Sequence, residues 1–268
     1  MFIDAIGQSH QTSQDARIIS LVPSITELLF DMGLGAQVVG RTVFCVHPKD
    51  QVKQVRSIGG TKQVNMDKVK ALNATHLIVN VDENPKELVD ELAEFIPHIV
   101  VTHPNTPSDN IDLFSLIGNI FNKKGEAARL ISDFQAALTH AQLTAQGREE
   151  KNVLYFIWKD PWMTVAGETY ISQALRTAHM ISQPQTAEIR YPEINLESGI
   201  LDEVDAILFS SEPFLFKQHH LDEFSKEFDI PADKLHIIDG EMTSWYGSRA
   251  IVGIRYLAQF AQKLSNEA

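Results

Sequence analysis

The sequence predicts an α/β protein of two lobes with mostly parallel sheets, joined by one long helical connector. Three observations predict it. Short apolar runs alternate with helical patterns through residues 1–107, the alternation resumes over 151–268, and residues 108–150 carry apolar side chains at helical spacing with no strand signal. At roughly 100–200 residues per domain, the 268 residues suffice for two lobes with real cores.

In the first region, residues 17–22 form a β-like run. Ser24 and Glu27 stand three apart as a capping box, which predicts a helix to about Met32. Residues 38–42 make a second short strand that ends in a loop through Pro48. Residues 66–72 follow as a helix, 76–81 as a strand, 85–95 as a helix opened by Pro85, and 98–102 as a strand. In the middle region Leu113, Leu116, Ile117 and Ile120, then Ala127, Leu130, Ile131, Phe134 and Leu138, recur at helical spacing. They predict one helix to about Phe121 and a longer one to about Gln146, a rigid connector because it lacks the Gly, Ser and Pro of a flexible linker. Beyond it, strands are expected at 153–158, 206–211 and 235–239, with helices at 171–180, 218–228 and 249–264. The run 74–80 (ATHLIVN) is echoed at 204–210 (VDAILFS), and each is soon followed by an acidic residue and a proline (Glu83 and Pro85; Glu212 and Pro213). Two related α/β lobes place a ligand cleft between them, at the carboxyl ends of the strands.

Composition narrows the function classes. With 23 Lys and Arg against 35 Asp and Glu the net charge is −12, which disfavours nucleic acid as a partner, since phosphate neutralisation needs clustered cations. The single cysteine, Cys45, excludes an internal disulfide and multi-cysteine metal sites. No stretch approaches the ~18 apolar residues of a membrane span. The first residues carry neither a basic region nor an apolar run, so a chain starting at Met1 is expected in the cytoplasm; a leader removed beforehand would place it in the periplasm.

Among the motifs, Gly33-Leu34-Gly35 follows a helix and precedes a strand, the reverse of a dinucleotide fingerprint, and reads as a helix C-cap and turn. Residues 58–62 lack P-loop spacing and read as a turn. Phe44-Cys45-Val46-His47-Pro48 sets a thiol two residues from an imidazole at a strand end, a pair able to ligate a soft metal or to act as nucleophile and base, against the plainer reading of a small buried hydrophobe in a loop. All three tryptophans fall in two strand-end segments, Trp158 to Trp162 and 244–249 with Trp245 and Tyr246, where planar rings can grip a bulky ligand or simply pack. Arg249 at a helix start, with Arg41 and Arg190, can hold a carboxylate or phosphate. His219 and His220 are neighbours on a helix, point about 100° apart and read as a solvated face.

The run from Arg17 to Leu34, RIISLVPSITELLFDMGL, resembles the opening of the vitamin B12, haem and ferric-siderophore binding proteins of ABC importers. So do Ser57-Ile58-Gly59-Gly60-Thr61, the ALNATHLIV block from Ala71 and the PWMTVAG segment from Pro161 to Gly167. The resemblance spans about residues 17–264 and implies two Rossmann-like lobes joined by one backbone helix, with no enzymatic activity and no obligatory cofactor. Its implied ligand is a corrinoid, haem or other metal chelate, and its implied partner an ABC permease. Phe44, Trp245 and Tyr246 fall where B12-binding members carry cleft aromatics, whereas Ile58 replaces a cleft tryptophan. Glu197 fits one of the family's two permease-docking glutamates, but Lys53 stands at the other and reverses its charge. The expected ligand-binding set is therefore Arg41, Phe44, Cys45, His47, Asn80, Asn84, Trp158, Trp162, Glu212, Trp245, Tyr246 and Arg249, with Cys45 and His47 as metal ligands. Three alternatives stay open: an importer receptor whose leader was removed, an enzyme or metal-handling protein on the same fold using Cys45 and His47, and an interaction module with an empty cleft.

Overall fold

A computed structural model describes residues 2–266. The chain divides into two compact units. Unit one takes the chain to Pro104, Ser108–Asp133 and Tyr246–Arg249; unit two takes Asn105–Pro107, Phe134–Trp245 and the chain from Ala250.

Unit one opens with a small antiparallel hairpin, β1 (Phe2–Ile3) and β2 (Ser9–His10). Then follow β3 (Ile18–Ser20), α1 (Pro23–Asp31), β4 (Val38–Thr42), α2 (Lys49–Val52), β5 (Arg56–Gly59), α3 (Met66–Lys70), β6 (His76–Asn80), α4 (Lys86–Ala93) and β7 (His98–Thr102). Five of these strands make one sheet, ordered β5-β4-β3-β6-β7, with every pairing parallel. Helices cover a parallel sheet on both faces, so its inner strands are continuous apolar runs rather than alternating ones. β6 is buried along all five residues, and Ile19, Leu21, Leu77, Val79, Leu92 and Val101 lie in one core cluster. Helix α5 (Asn110–Ile120) belongs to this unit, and the long helix α6 (Lys124–Ala145) is divided between the two units after Asp133.

Unit two contains β8 (Lys151–Phe156), α7 (Tyr170–Arg176), β9 (Met180–Gln183), α8 (Ile200–Glu203), β10 (Ala206–Ser210), α9 (Gln218–Phe228), β11 (Leu235–Ile238), α10 (Gly240–Ser244) and α11 (Arg249–Asn266), the last entered from Arg249 of unit one. Its sheet is ordered β11-β10-β8-β9 and is also wholly parallel. The echo between 74–80 and 204–210 marks the corresponding strands: β6 and β10 are each five residues long, fully buried and paired on both sides.

Three expectations are corrected. The capping box does not form: α1 starts at Pro23, Val22 rather than Ser24 is the N-cap, and no side chain caps it. Proline's fixed φ starts the helix instead, and Glu27 is drawn away to Arg249. Residues 58–62 are not simply a turn, because Ile58 is a fully buried member of β5. The helix expected over 171–180 ends at Arg176, since His179 adopts left-handed φ (59°) and Met180 starts β9. The hairpin of residues 2–10 was not expected at all. Gly33, by contrast, has φ 70° and closes α1 through its N–H to the Phe30 carbonyl, the C-cap role read from the sequence.

Candidate functional site

In open parallel sheets ligands bind beyond the carboxyl ends of the strands, and each unit presents a distinct surface there. In unit one the loop after β4 turns Val43, Phe44 and Val46 outward, with Phe44 57% exposed, while Cys45 points inward at 1%. The alternation is pinned by the thiol, whose Sγ lies 3.2 Å from Thr42 Oγ1 and 3.1 Å from Thr26 Oγ1. Burial pushes the thiol pKa up, against weaker opposing hydrogen bonds from the two threonines. Cys45 thus faces the interior, away from the surface that Val43, Phe44 and Val46 present, and a buried, protonated thiol is a poorer nucleophile and metal ligand than a thiolate. His47 is half-buried, and among the described residues no group of three or more His, Cys, Asp or Glu side chains could hold a metal ion. Gly60 stands close to the Phe44 ring: a Cβ there would lie 3.4 Å from it.

At the end of β6, Val81 is exposed, but Asn80 and Asn84 are buried and serve the backbone. Asn84 Oδ1 accepts the Asn80 N–H (2.8 Å), its Nδ2 donates to the Thr61 carbonyl (2.9 Å), and Asn80 Oδ1 accepts the Asp82 N–H (2.8 Å). They shape the loop that carries Val81. Arg41 is likewise engaged, donating from Nε to the Val52 carbonyl and from Nη1 to that of Thr42. The four residues 246–249 are bound by unit one through three polar contacts. Tyr246 donates its hydroxyl to Glu83 at 2.5 Å, the Gly247 N–H reaches Asn110 Oδ1 at 2.6 Å, and Arg249 makes a two-pronged ion pair with Glu27 at 2.7 and 2.5 Å. Burial first, then the neighbouring Glu83 charge, raises the Tyr246 pKa well above that of a free phenol.

In unit two the aromatic segment splits into two roles. Trp158 is 40% exposed at the end of β8 and meets the Phe214 ring edge-on at 5.6 Å; Leu215 beside it is exposed. Trp162 packs instead: it lies parallel to Phe216 at 6.0 Å and touches Phe156, Phe209 and Phe224. The cause is the loop itself, which doubles back so that Trp158 bridges Met163. Trp245 is buried and donates its indole N–H to Glu212 Oε1 at 2.6 Å, an oxygen that accepts from Ser244 as well. Burial raises the Glu212 pKa, partly offset by the Trp245 hydrogen bond. Gly240 makes room for this carboxylate, since a Cβ there would stand 2.5 Å from Glu212 Cγ. Arg190 is held by Asn105 Oδ1 (2.9 Å) and the Glu168 carbonyl. Lys159 pairs with Glu223 at 3.2 Å. Val43, Val46, Val81, Phe214 and Leu215 were missed by the sequence reading; their one signal was position, in the loops that follow strands.

A family model described as "Periplasmic binding protein" matches residues 18–229. The chain belongs to that family. A "Vitamin B12-binding protein" of Pectobacterium carotovorum subsp. carotovorum (strain PC1) is 22% identical over 199 residues, 74% of this chain and 72% of that one. The "Uncharacterized ABC transporter substrate-binding lipoprotein YvrC" of Bacillus subtilis (strain 168) is 24% identical over 253 residues, 91% of this chain and 79% of that one. Among solved structures, the periplasmic vitamin B12 binding protein BtuF of Vibrio cholerae superposes with a TM-score of 0.80 at 16% identity, covering 94% of this chain and 99% of its own. The periplasmic haem-binding protein RhuT of Roseiflexus sp. RS-1 does so at 0.77 and 19%, with the same coverages. At such identities the structural likeness speaks for the fold. The family is named for the periplasm, so the cytoplasmic expectation draws no support from it. Among the described residues no helix is long and apolar enough to cross a membrane.

Proposed function

We propose that this chain is a non-enzymatic substrate-binding component of an ABC importer whose cargo is a large metal chelate of the corrinoid class. The observation that carries the reading is the chemistry at the strand ends of each unit. The side chains left open there are broad and apolar: Val43, Phe44, Val46 and Val81 in one unit, Trp158 and Leu215 in the other, with half-buried Phe214 against the Trp158 ring. Such surfaces grip a bulky, flat ligand through dispersion and desolvation.

Charge separates a corrinoid from the other chelates. Ferric siderophores and haem propionates present carboxylates or other anionic oxygens, which call for free guanidinium groups. Arg41, Arg190 and Arg249 are each committed to partners within the fold, and Glu83 and Glu212 add acidic groups near the strand ends. An electroneutral ligand suits that balance. With Cys45 turned inward, this reading places recognition on the periphery of the chelate. Exposed Glu197, in a short turn where Asn195 Oδ1 accepts its N–H, is the docking contact proposed for a permease, while Lys53 is paired with Asp50 at 3.7 Å and brings the opposite charge. Periplasmic action follows from this role.

Native mass spectrometry of the protein purified from cobalamin-supplemented cells tests the proposal. A single added mass of corrinoid size on the 30.0 kDa chain is expected. The unliganded mass alone, both from those cells and after incubation with added corrinoid, refutes the corrinoid assignment.

A further inference from the structure

We infer, on the corrinoid reading of the ligand surface, that His220 is a specificity-determining residue of unit two. Its neutral imidazole is held with the proton on Nε2, which donates a hydrogen bond to an uncharged carbonyl oxygen on the rim of the cargo. The start of α9 sets this up. Lys217 is the N-cap, and a lysine side chain has donors but no acceptor for the first free N–H groups of a helix. The Lys217 N–H is taken instead by His220, three residues on, whose Nδ1 lies 3.0 Å from it. His220 thus holds the place that Glu or Gln takes in a capping box.

That one bond fixes the tautomer. A backbone N–H donates only into a lone pair, so Nδ1 is unprotonated and the neutral ring carries its proton on Nε2. Burial and the nearby His219, Lys159 and Lys217 charges also lower the His220 pKa, against an opposing pull from Glu223. The ring is half-buried rather than solvated: it meets Phe214 edge-on at 5.3 Å and Phe216 at 5.8 Å, and the His219 ring is 3.9 Å away. Phe214 also meets the Trp158 ring, so one phenyl is shared by the exposed indole and the imidazole. Among the described residues Nε2 enters no hydrogen bond or ion pair, while neighbouring Lys159 is engaged by Glu223 at 3.2 Å. A neutral N–H donor suits a neutral acceptor, since it directs one hydrogen bond without the positive charge that an anionic group calls for. The corrin macrocycle is ringed by carboxamides, whose carbonyl oxygens are acceptors of that class.

Two substitutions separate the donor from the cap. An asparagine amide falls near the place of Nδ1 and a glutamine amide near that of Nε2. His220→Asn therefore keeps the cap without the outer donor, and His220→Gln keeps the outer donor without the cap. The dissociation constant for cyanocobalamin should rise about 3- to 10-fold in His220→Asn, the loss of one neutral hydrogen bond, and stay within about threefold of wild type in His220→Gln. Nitrogen-15 correlation spectra of the wild-type chain, which depend on no variant folding, should show the Nε2–H tautomer at pH 7.5, and the Nε2 proton should move downfield as cyanocobalamin is added. A proton on Nδ1, an unmoved Nε2 proton at saturation, a smaller rise in His220→Asn, or equal losses in the two variants would overturn the role of His220 while leaving the corrinoid reading intact. No cyanocobalamin binding by the wild-type chain at high micromolar concentration would overturn both.

Discussion

Replacing Trp158 with alanine removes one side chain from the ligand-facing surface of unit two without opening the core. A tryptophan carries up to about 250 Å² of contact surface, and Trp158 is 40% exposed, so about 100 Å² remains for a ligand to cover. At ~25 cal/mol per Å², complete coverage contributes about 2.5 kcal/mol and half coverage about 1.2 kcal/mol. The dissociation constant for cobalamin should therefore rise about 8- to 70-fold. Stability should change little, because the main loss is one edge-on contact with Phe214, worth about 1 kcal/mol. Phe44→Ala in unit one has the same logic, since more than half of that ring is exposed. The assay is isothermal titration of each variant beside a thermal melt. Wild-type affinity in both variants would refute the assignment of these surfaces to ligand binding.

Trp162→Ala should behave oppositely to Trp158→Ala, because its ring packs among Phe156, Phe209, Phe216 and Phe224. It should cost about 3–5 kcal/mol in urea unfolding, and a loss below 1 kcal/mol would contradict the packing role. Arg249→Met leaves the mostly buried Glu27 carboxylate without its ion pair and should cost about 3–5 kcal/mol, most of it recovered on adding Glu27→Leu; additive losses in a double-mutant cycle would count against this pair. Cys45 should resist alkylation until the chain unfolds, and Cys45→Ala should leave cobalamin affinity within about twofold, because the thiol is buried and protonated. His76 has its folded pKa lowered from 6.5 to about 4, so its contribution is complete above pH 6.5 and is lost as pH falls toward 4. That shift is worth about 3 kcal/mol of global stability, and the portion should disappear from the pH profile of His76→Phe.

The fold was legible where physics makes sequence local. β6 and β10 are buried on both faces, so HLIVN and AILFS are nearly unbroken apolar runs. β5 and β9, with RSIG and MISQ, mix polar residues into four positions and give no such signal. The hairpin of residues 2–10 is invisible locally because the Asp4 carboxylate closes it onto Val101, 97 positions away. At the candidate site, Phe44 and Trp158 could be read as aromatics at strand ends. Trp162 could not be told from Trp158 until the loop's fold-back was known. The commitments of the arginines were hidden for the same reason: Glu27 and Arg249 are 222 positions apart. Cys45 looked chemically available beside His47, and only the inward turn toward Thr26 and Thr42 removes it.

A spectrophotometric titration with cyanocobalamin, run beside haemin and a ferric tricatecholate, tests the central claim most directly. The account predicts a saturable 1:1 change in the corrinoid spectrum at low micromolar concentration or below, with the two anionic chelates bound at least tenfold more weakly. An unperturbed corrinoid spectrum at high micromolar concentration, or tighter binding of either anionic chelate, would contradict it.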